Sequence, residues 1–151
     1  MLLAFFIISI IMSLLFKNFK MVLISLIPNI IPLIIAGGIM GYFNIPLKPS
    51  SALVFSIVFG ISVDYSIHFL AKFKNELLSK SLEDSIINTI NQTGRSMIFT
   101  SFILFFGFII FAFSNFGGTI VLGVLTSIIL FVAMITNLTL LPSIILYFYK
   151  K

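Results

Sequence analysis

The sequence predicts an all-α polytopic membrane protein, one bundle of five transmembrane helices with a short amphipathic helix on its cytoplasmic side. Three observations carry this. Of 151 residues, 60% are hydrophobic and only 9% are charged, where a soluble domain carries about a quarter charged residues. So little polar surface cannot cover a water-soluble globule. The apolar residues gather into five runs between polar breaks, roughly 1–16, 21–43, 51–71, 96–113 and 119–148. The basic residues concentrate at alternate breaks, as topology signals do. Cysteine is absent, which excludes a disulfide framework and a thiol-ligated metal. The net charge of +5 comes from basic residues scattered singly beside apolar runs. That placement argues against a phosphate-binding patch and a nucleic-acid partner.

The elements follow in order. The first run is short, and Lys17 and Lys20 follow it. A signal peptide requires its positive charge before the apolar run, so this run reads as a transmembrane helix. The second contains Pro28 and Pro32, whose kinks neighbouring helices can accommodate. "NIPLKPSS" (44–51) then breaks the chain with Pro46 and Pro49 and offers Ser50 or Ser51 as the N-cap of the third span. Between spans three and four, Ser81 and Asp84 form a capping-box pattern, and Leu82, Ile86, Ile87 and Ile90 recur at helical spacing. Residues 81–94 read as an amphipathic helix on the inner membrane surface, leading into a fourth span that extends back through Arg95. "SNFGG" (114–118) is a tight outer turn. Pro142 is expected to bend the last helix near its cytoplasmic end.

Lys17, Lys20, Lys72, Lys74, Lys80, Arg95, Lys150 and Lys151 fall on one side of this arrangement and Lys48 alone on the other. The positive-inside rule puts the N-terminus outside and the C-terminus in the cytoplasm. An odd number of spans starting outside leads to the expectation that an extracytoplasmic segment precedes residue 1.

The third span holds the chemistry. Ala52, Ser56, Gly60, Asp64, His68 and Lys72 are four residues apart and form one slowly drifting stripe on a helix. Ser56 and Gly60 are small enough for another helix to approach closely. Asp64 lies roughly 20 Å from the outer end of the span at 1.5 Å per residue. The other three acids, Glu76, Glu83 and Asp84, lie in the cytoplasmic connection. An ionised carboxylate at such depth costs at least about 2.5–3.5 kcal/mol, and residues of this kind face a bundle interior and mark ion or proton paths. Desolvation disfavours the charged form, which suits a carboxyl that takes up and releases a proton. The alternative is a carboxyl kept protonated and hydrogen-bonded between helices. Tyr65 points about 100° away around the helix, towards a neighbouring helix. His68 has two readings: an inward extension of a proton path, or a residue resting at the membrane interface. Ser66 lies about 200° from Asp64, so one helix cannot assemble a hydrolytic triad from Asp64, Ser66 and His68. Asp64 and His68 supply only two ligands for a metal. No hydrolytic or redox enzyme is supported.

Gly60, Asp64 and Tyr65 in "GISVDYSIHF" reproduce the G-x-x-x-D-Y signature and resemble the resistance–nodulation–division (RND) superfamily in its MMPL-like branch. "LIPNIIPLIIAGGIMGYFNIPL" resembles the helix before that signature. "TGRSMIFTSFILFFGFIIFAFSNF" resembles the helix after it, and "LGVLTSIILFVAMITNLTLLPSIIL" the last helix of a six-helix half. The resemblance implies a proton-driven exporter of lipids or other hydrophobic molecules in the bacterial inner (cytoplasmic) membrane. Asp64 would be the titrating residue of its relay and Tyr65 the hydrogen-bonding companion. Thr100 and Ser101 would line the neighbouring helix that faces them. Some relatives carry an acid where Asn137 stands.

Protons would be the coupling ion, with no other cofactor. This chain matches helices two to six of one half, taken as the C-terminal one, although an N-terminal half would look similar. Its partners would be membrane lipids, the missing half with its extracytoplasmic domains, and a second copy of the chain. Two other functions fit the helix pattern. One is a sterol-sensing-like regulatory module without transport, which need not keep an exchangeable proton. The other is a Sec-type protein-export accessory subunit, whose "G-x-x-V-D-A-N" differs from this chain at Tyr65-Ser66.

Overall fold

A computed structural model describes residues 19–149. The first expected span, 1–16, lies outside these residues. All secondary structure among the described residues is helical, and four helices are long and apolar enough to cross a membrane.

Helix α1 (Phe19–Tyr42) runs through both Pro28 and Pro32. It ends where Asn44 takes a left-handed φ of 51°. The amide of Ile45 donates to the Met40 carbonyl at 2.8 Å and that of Asn44 to Gly41 at 3.3 Å, the paired bonds of a Schellman stop. Helix α2 (Pro49–Leu77) is longer than the expected 51–71. Its start corrects the expectation that Ser50 or Ser51 caps it, because Lys48 is the N-cap. Pro49 has no N–H to lose and a φ already suited to the first helical position, so the helix begins there. Ser51 sits inside it and accepts the Lys48 amide at 2.8 Å.

Helix α3 (Leu82–Thr89) is capped by Ser81, whose hydroxyl accepts the Asp84 amide at 3.2 Å. The α-helix expected through residue 94 stops at Thr89, and Ile90–Gly94 continue as a π turn. Gly94 lies close to Leu138 there, since an added Cβ would stand 3.2 Å from its side chain. Helix α4 (Arg95–Ile109) tightens into a 3₁₀ turn, Ile110–Phe113, before the break at Ser114. Helix α5 (Gly117–Tyr149) continues unbroken through Pro142.

Helices α1, α2 and α5 pack mutually, and α4 lies mainly against α5. Two apolar layers fill the three-helix interior. One is formed by Ala36, Met40, Val54, Val58, Ile129 and Leu130. The other, towards the end that carries Lys72 and Glu76, includes Ile24, Phe69, Phe73, Leu141 and Ile145. Between the layers lies a hydrogen-bonded polar set. Asn29 accepts from Ser62 at 2.6 Å and from Ser66 at 3.1 Å through its Oδ1. Asn137 accepts from Ser66 at 2.6 Å and donates to Ser62 at 3.1 Å. Polar groups enclosed like this are tolerated only when they satisfy one another, and this set joins all three helices.

Candidate functional site

The same internal packing decides where Asp64 goes. The α2 face bearing Ser62, Ser66, Phe69 and Phe73 is completely buried. The Ala52–Lys72 stripe therefore lies on the far side of the helix. Ala52, Ser56, Gly60, Asp64 and His68 are all exposed on the described bundle. No described helix covers Gly60, where an added Cβ would meet nothing within 4 Å. The tight approach of two helices occurs instead at Gly123, where a Cβ would stand 2.6 Å from the Phe108 carbonyl of α4.

Asp64 and His68 sit one turn apart, with Oδ1 and Nε2 separated by 3.4 Å. Both side chains are open, at 62% and 69% exposure respectively. They flank a cleft of about 480 Å³ between α2 and the start of α4. On the α2 side it is lined by Asp64, Tyr65, His68, Lys72 and Asn75, and on the other by Gln92, Thr93, Ser96, Met97 and Thr100. The π turn carries Gln92 and Thr93 to this wall; such turns recur at functional sites. Ser56 and Gly60 do not line the cleft.

Tyr65 leaves the same stretch of helix in a different direction. It is buried, and its hydroxyl and that of Ser101 hydrogen-bond at 2.6 Å. Asp64 thus stands on the cleft wall while its sequence neighbour fastens α2 to α4. Thr100 faces the cleft and Ser101 the interior. Beyond His68, the Lys72 ammonium is held by Glu76 at 2.9 Å, and Glu76 also takes Lys80 at 2.7 Å.

The sequence reading missed the polar set of Asn29, Ser62, Ser66 and Asn137. Its signal was Ser62 and Ser66 at i, i+4 on the face opposite Asp64, matched by Asn29 in "LIPNIIP".

The sequence model of the MMPL family matches residues 1–150. A protein of Methanocaldococcus jannaschii, named as a membrane protein, is 29% identical over 128 residues, which are 82% of this chain and 32% of that protein. The chain therefore spans about a third of the length of the curated relative it matches. No solved structure matches it. With four long apolar helices among the described residues, the D-Y helix in place and a family match over nearly its whole length, the chain is a multi-pass membrane protein that belongs to the MMPL family, and membership points to a role connected with membrane transport.

Proposed function

We propose that this chain is the membrane-embedded proton-relay part of an exporter of lipids or other hydrophobic compounds, driven by the proton motive force. It lies in the cytoplasmic membrane with the Lys72–Lys80 end inside and the Lys48 loop outside. The observation that carries this reading is the divergence of Asp64 and Tyr65 from one turn of α2. The carboxyl stands at a polar cleft, and the phenol is bonded across to Ser101 of α4 at 2.6 Å. Taking up a proton removes the charge of Asp64, and with it the demand for polar surroundings at that depth. The preferred closeness of α4 to α2 then differs between the two protonation states, and Tyr65–Ser101 is the contact that transmits the difference. Two positions of α4 set by one proton are the element an exporter needs to drive alternating access. Membrane lipids and a second bundle facing the stripe are the partners this role requires.

The test is Asp64→Asn in the native host membrane. Asn keeps the shape and much of the hydrogen bonding but cannot exchange a proton. Proton-coupled flux in vesicles is expected to disappear while the protein remains in the membrane at normal level. Wild-type coupling in that variant would return Asp64 to a structural role.

A further inference from the structure

We propose that the cleft beside α2 is a water-filled vestibule open at the Lys72 end, and that His68 carries protons between Asp64 and its water. The proposal rests on the relay reading above for its use, while the vestibule itself rests on geometry.

The lining argues for water rather than lipid. Asn75, Gln92, Thr93, Ser96 and Thr100 bring polar side chains to a cleft that Ala71 and Met97 also line, and a polar group left against lipid tails without a partner costs several kcal/mol. A volume of about 480 Å³ holds on the order of ten waters with polar partners on two walls. The wall formed by the π turn and α4 carries no charge among its lining residues, which are Gln92, Thr93, Ser96, Met97 and Thr100. The charged and titratable lining groups all belong to α2: Asp64, Tyr65, His68 and Lys72. Tyr65 is committed to Ser101 and Lys72 to Glu76. That leaves His68 as the titratable group between Asp64 and the mouth, with Nε2 already 3.4 Å from the carboxylate.

The step balances without another reactant. The Asp64 carboxyl O–H breaks as an N–H forms on Nε2 of neutral His68, leaving a carboxylate beside an imidazolium. The imidazolium then gives a proton to vestibule water and returns to the neutral ring. After the second step the Asp64 carboxylate stands beside a neutral imidazole, and the vestibule water solvates its charge. The sequence around the pair gives the imidazole its place: four residues bring His68 onto the face of Asp64 and one turn closer to the charged end.

The chain has no cysteine, so single thiols can be read without background. In inside-out vesicles, Ser96→Cys and Thr100→Cys are compared with Phe99→Cys and Ile103→Cys, whose side chains are exposed on α4 outside the cleft. A charged, membrane-impermeant methanethiosulfonate reacts with the thiolate, which needs water to form, so the cleft positions should react at least about tenfold faster. Equal, slow reaction at all four would make the cleft dry and overturn the proposal. Reaction faster from the opposite side would overturn its orientation.

His68→Ala in the native membrane is then expected to lower proton flux on the order of a hundredfold, with free imidazole in the inner buffer restoring it. A merely structural role for His68 would not be rescued by imidazole. If the wild type conducts, Asp64→Asn does not, and His68→Ala matches wild type, the His68 step fails and the relay reading stands. If Asp64→Asn matches wild type, the relay reading fails and takes the His68 step with it, and thiol reactivity still decides whether the vestibule exists.

Discussion

A tyrosine hydroxyl inside a membrane bundle has few places to go, and Tyr65 uses the one beside it. Its ring is buried and its hydroxyl meets Ser101, itself fully enclosed, at 2.6 Å. Removing either partner leaves the other enclosed and unsatisfied. Such a loss costs about 1–3 kcal/mol in water-soluble proteins, and interhelical pairs in membranes average nearer 0.6 kcal/mol with a maximum of about 1.7. The pair is therefore expected to show a coupling energy of roughly 1 kcal/mol in a cycle of Tyr65→Phe, Ser101→Ala and the double variant. Reversible unfolding in mixed micelles supplies the measurement, and strictly additive effects would show that the two hydroxyls do not act as a pair. Asp64 itself was legible in the sequence because an acid within an apolar run has no cheap explanation. The direction it faces was not, because a stripe at four-residue spacing says which residues share a side and nothing about what lies on that side. The answer came from the opposite face, where Ser62, Ser66 and two phenylalanines claim the interior.

At the scale of helices, the small residues separate into two kinds that composition does not distinguish. Gly123 of α5 is pressed against α4: an added Cβ would stand 2.6 Å from the Phe108 carbonyl and 2.6 Å from the Phe111 Cβ. Backbone cannot move aside cheaply, so Gly123→Ala is expected to cost about 1–3 kcal/mol through overpacking. Gly60 has open space around it, and Gly60→Ala in the isolated bundle should be neutral, or stabilising by up to about 1 kcal/mol through helix propensity. Unfolding midpoints of the two variants test this, and equal destabilisation would refute the assignment of the close α4–α5 contact. The long helices were readable from hydropathy, since span length is fixed by the bilayer. The π turn at Ile90–Gly94 was not, because Asn91 to Gly94 carry no apolar residues from which a change of period could be read. Nor was the mutual bonding of Asn29, Ser62, Ser66 and Asn137. Each is unremarkable within its own helix, and only the meeting of three helices gives them a common purpose.

For the molecule as a whole, the exposed side of α2 is unfinished. It presents Ala52, Ser56 and Gly60 as a smooth strip that leads to the open Asp64–His68 pair. Against lipid, a charge at this depth costs at least about 2.5–3.5 kcal/mol; against a second bundle, the small residues allow close approach and the pair gains polar company. The relative of which this chain spans about a third has length enough to supply such a bundle within one polypeptide. When this chain is expressed by itself, a second copy is the surface of matching shape, and a two-fold pair would bring α2 against α2 with each stripe facing itself. Gly60→Cys is therefore expected to form a crosslinked dimer in membranes under mild oxidation, whereas Ile103→Cys, on the outer side of α4 and 71% exposed, should not. Dilution of the membranes with excess lipid separates a specific pair from crowding: the Gly60→Cys product should persist while chance products fall. A long-lived monomer that gives no Gly60→Cys crosslink would mean that the Asp64–His68 pair is stable on a lipid-facing surface. In that case, His68 and the water beside the pair suffice for Asp64 without a facing bundle.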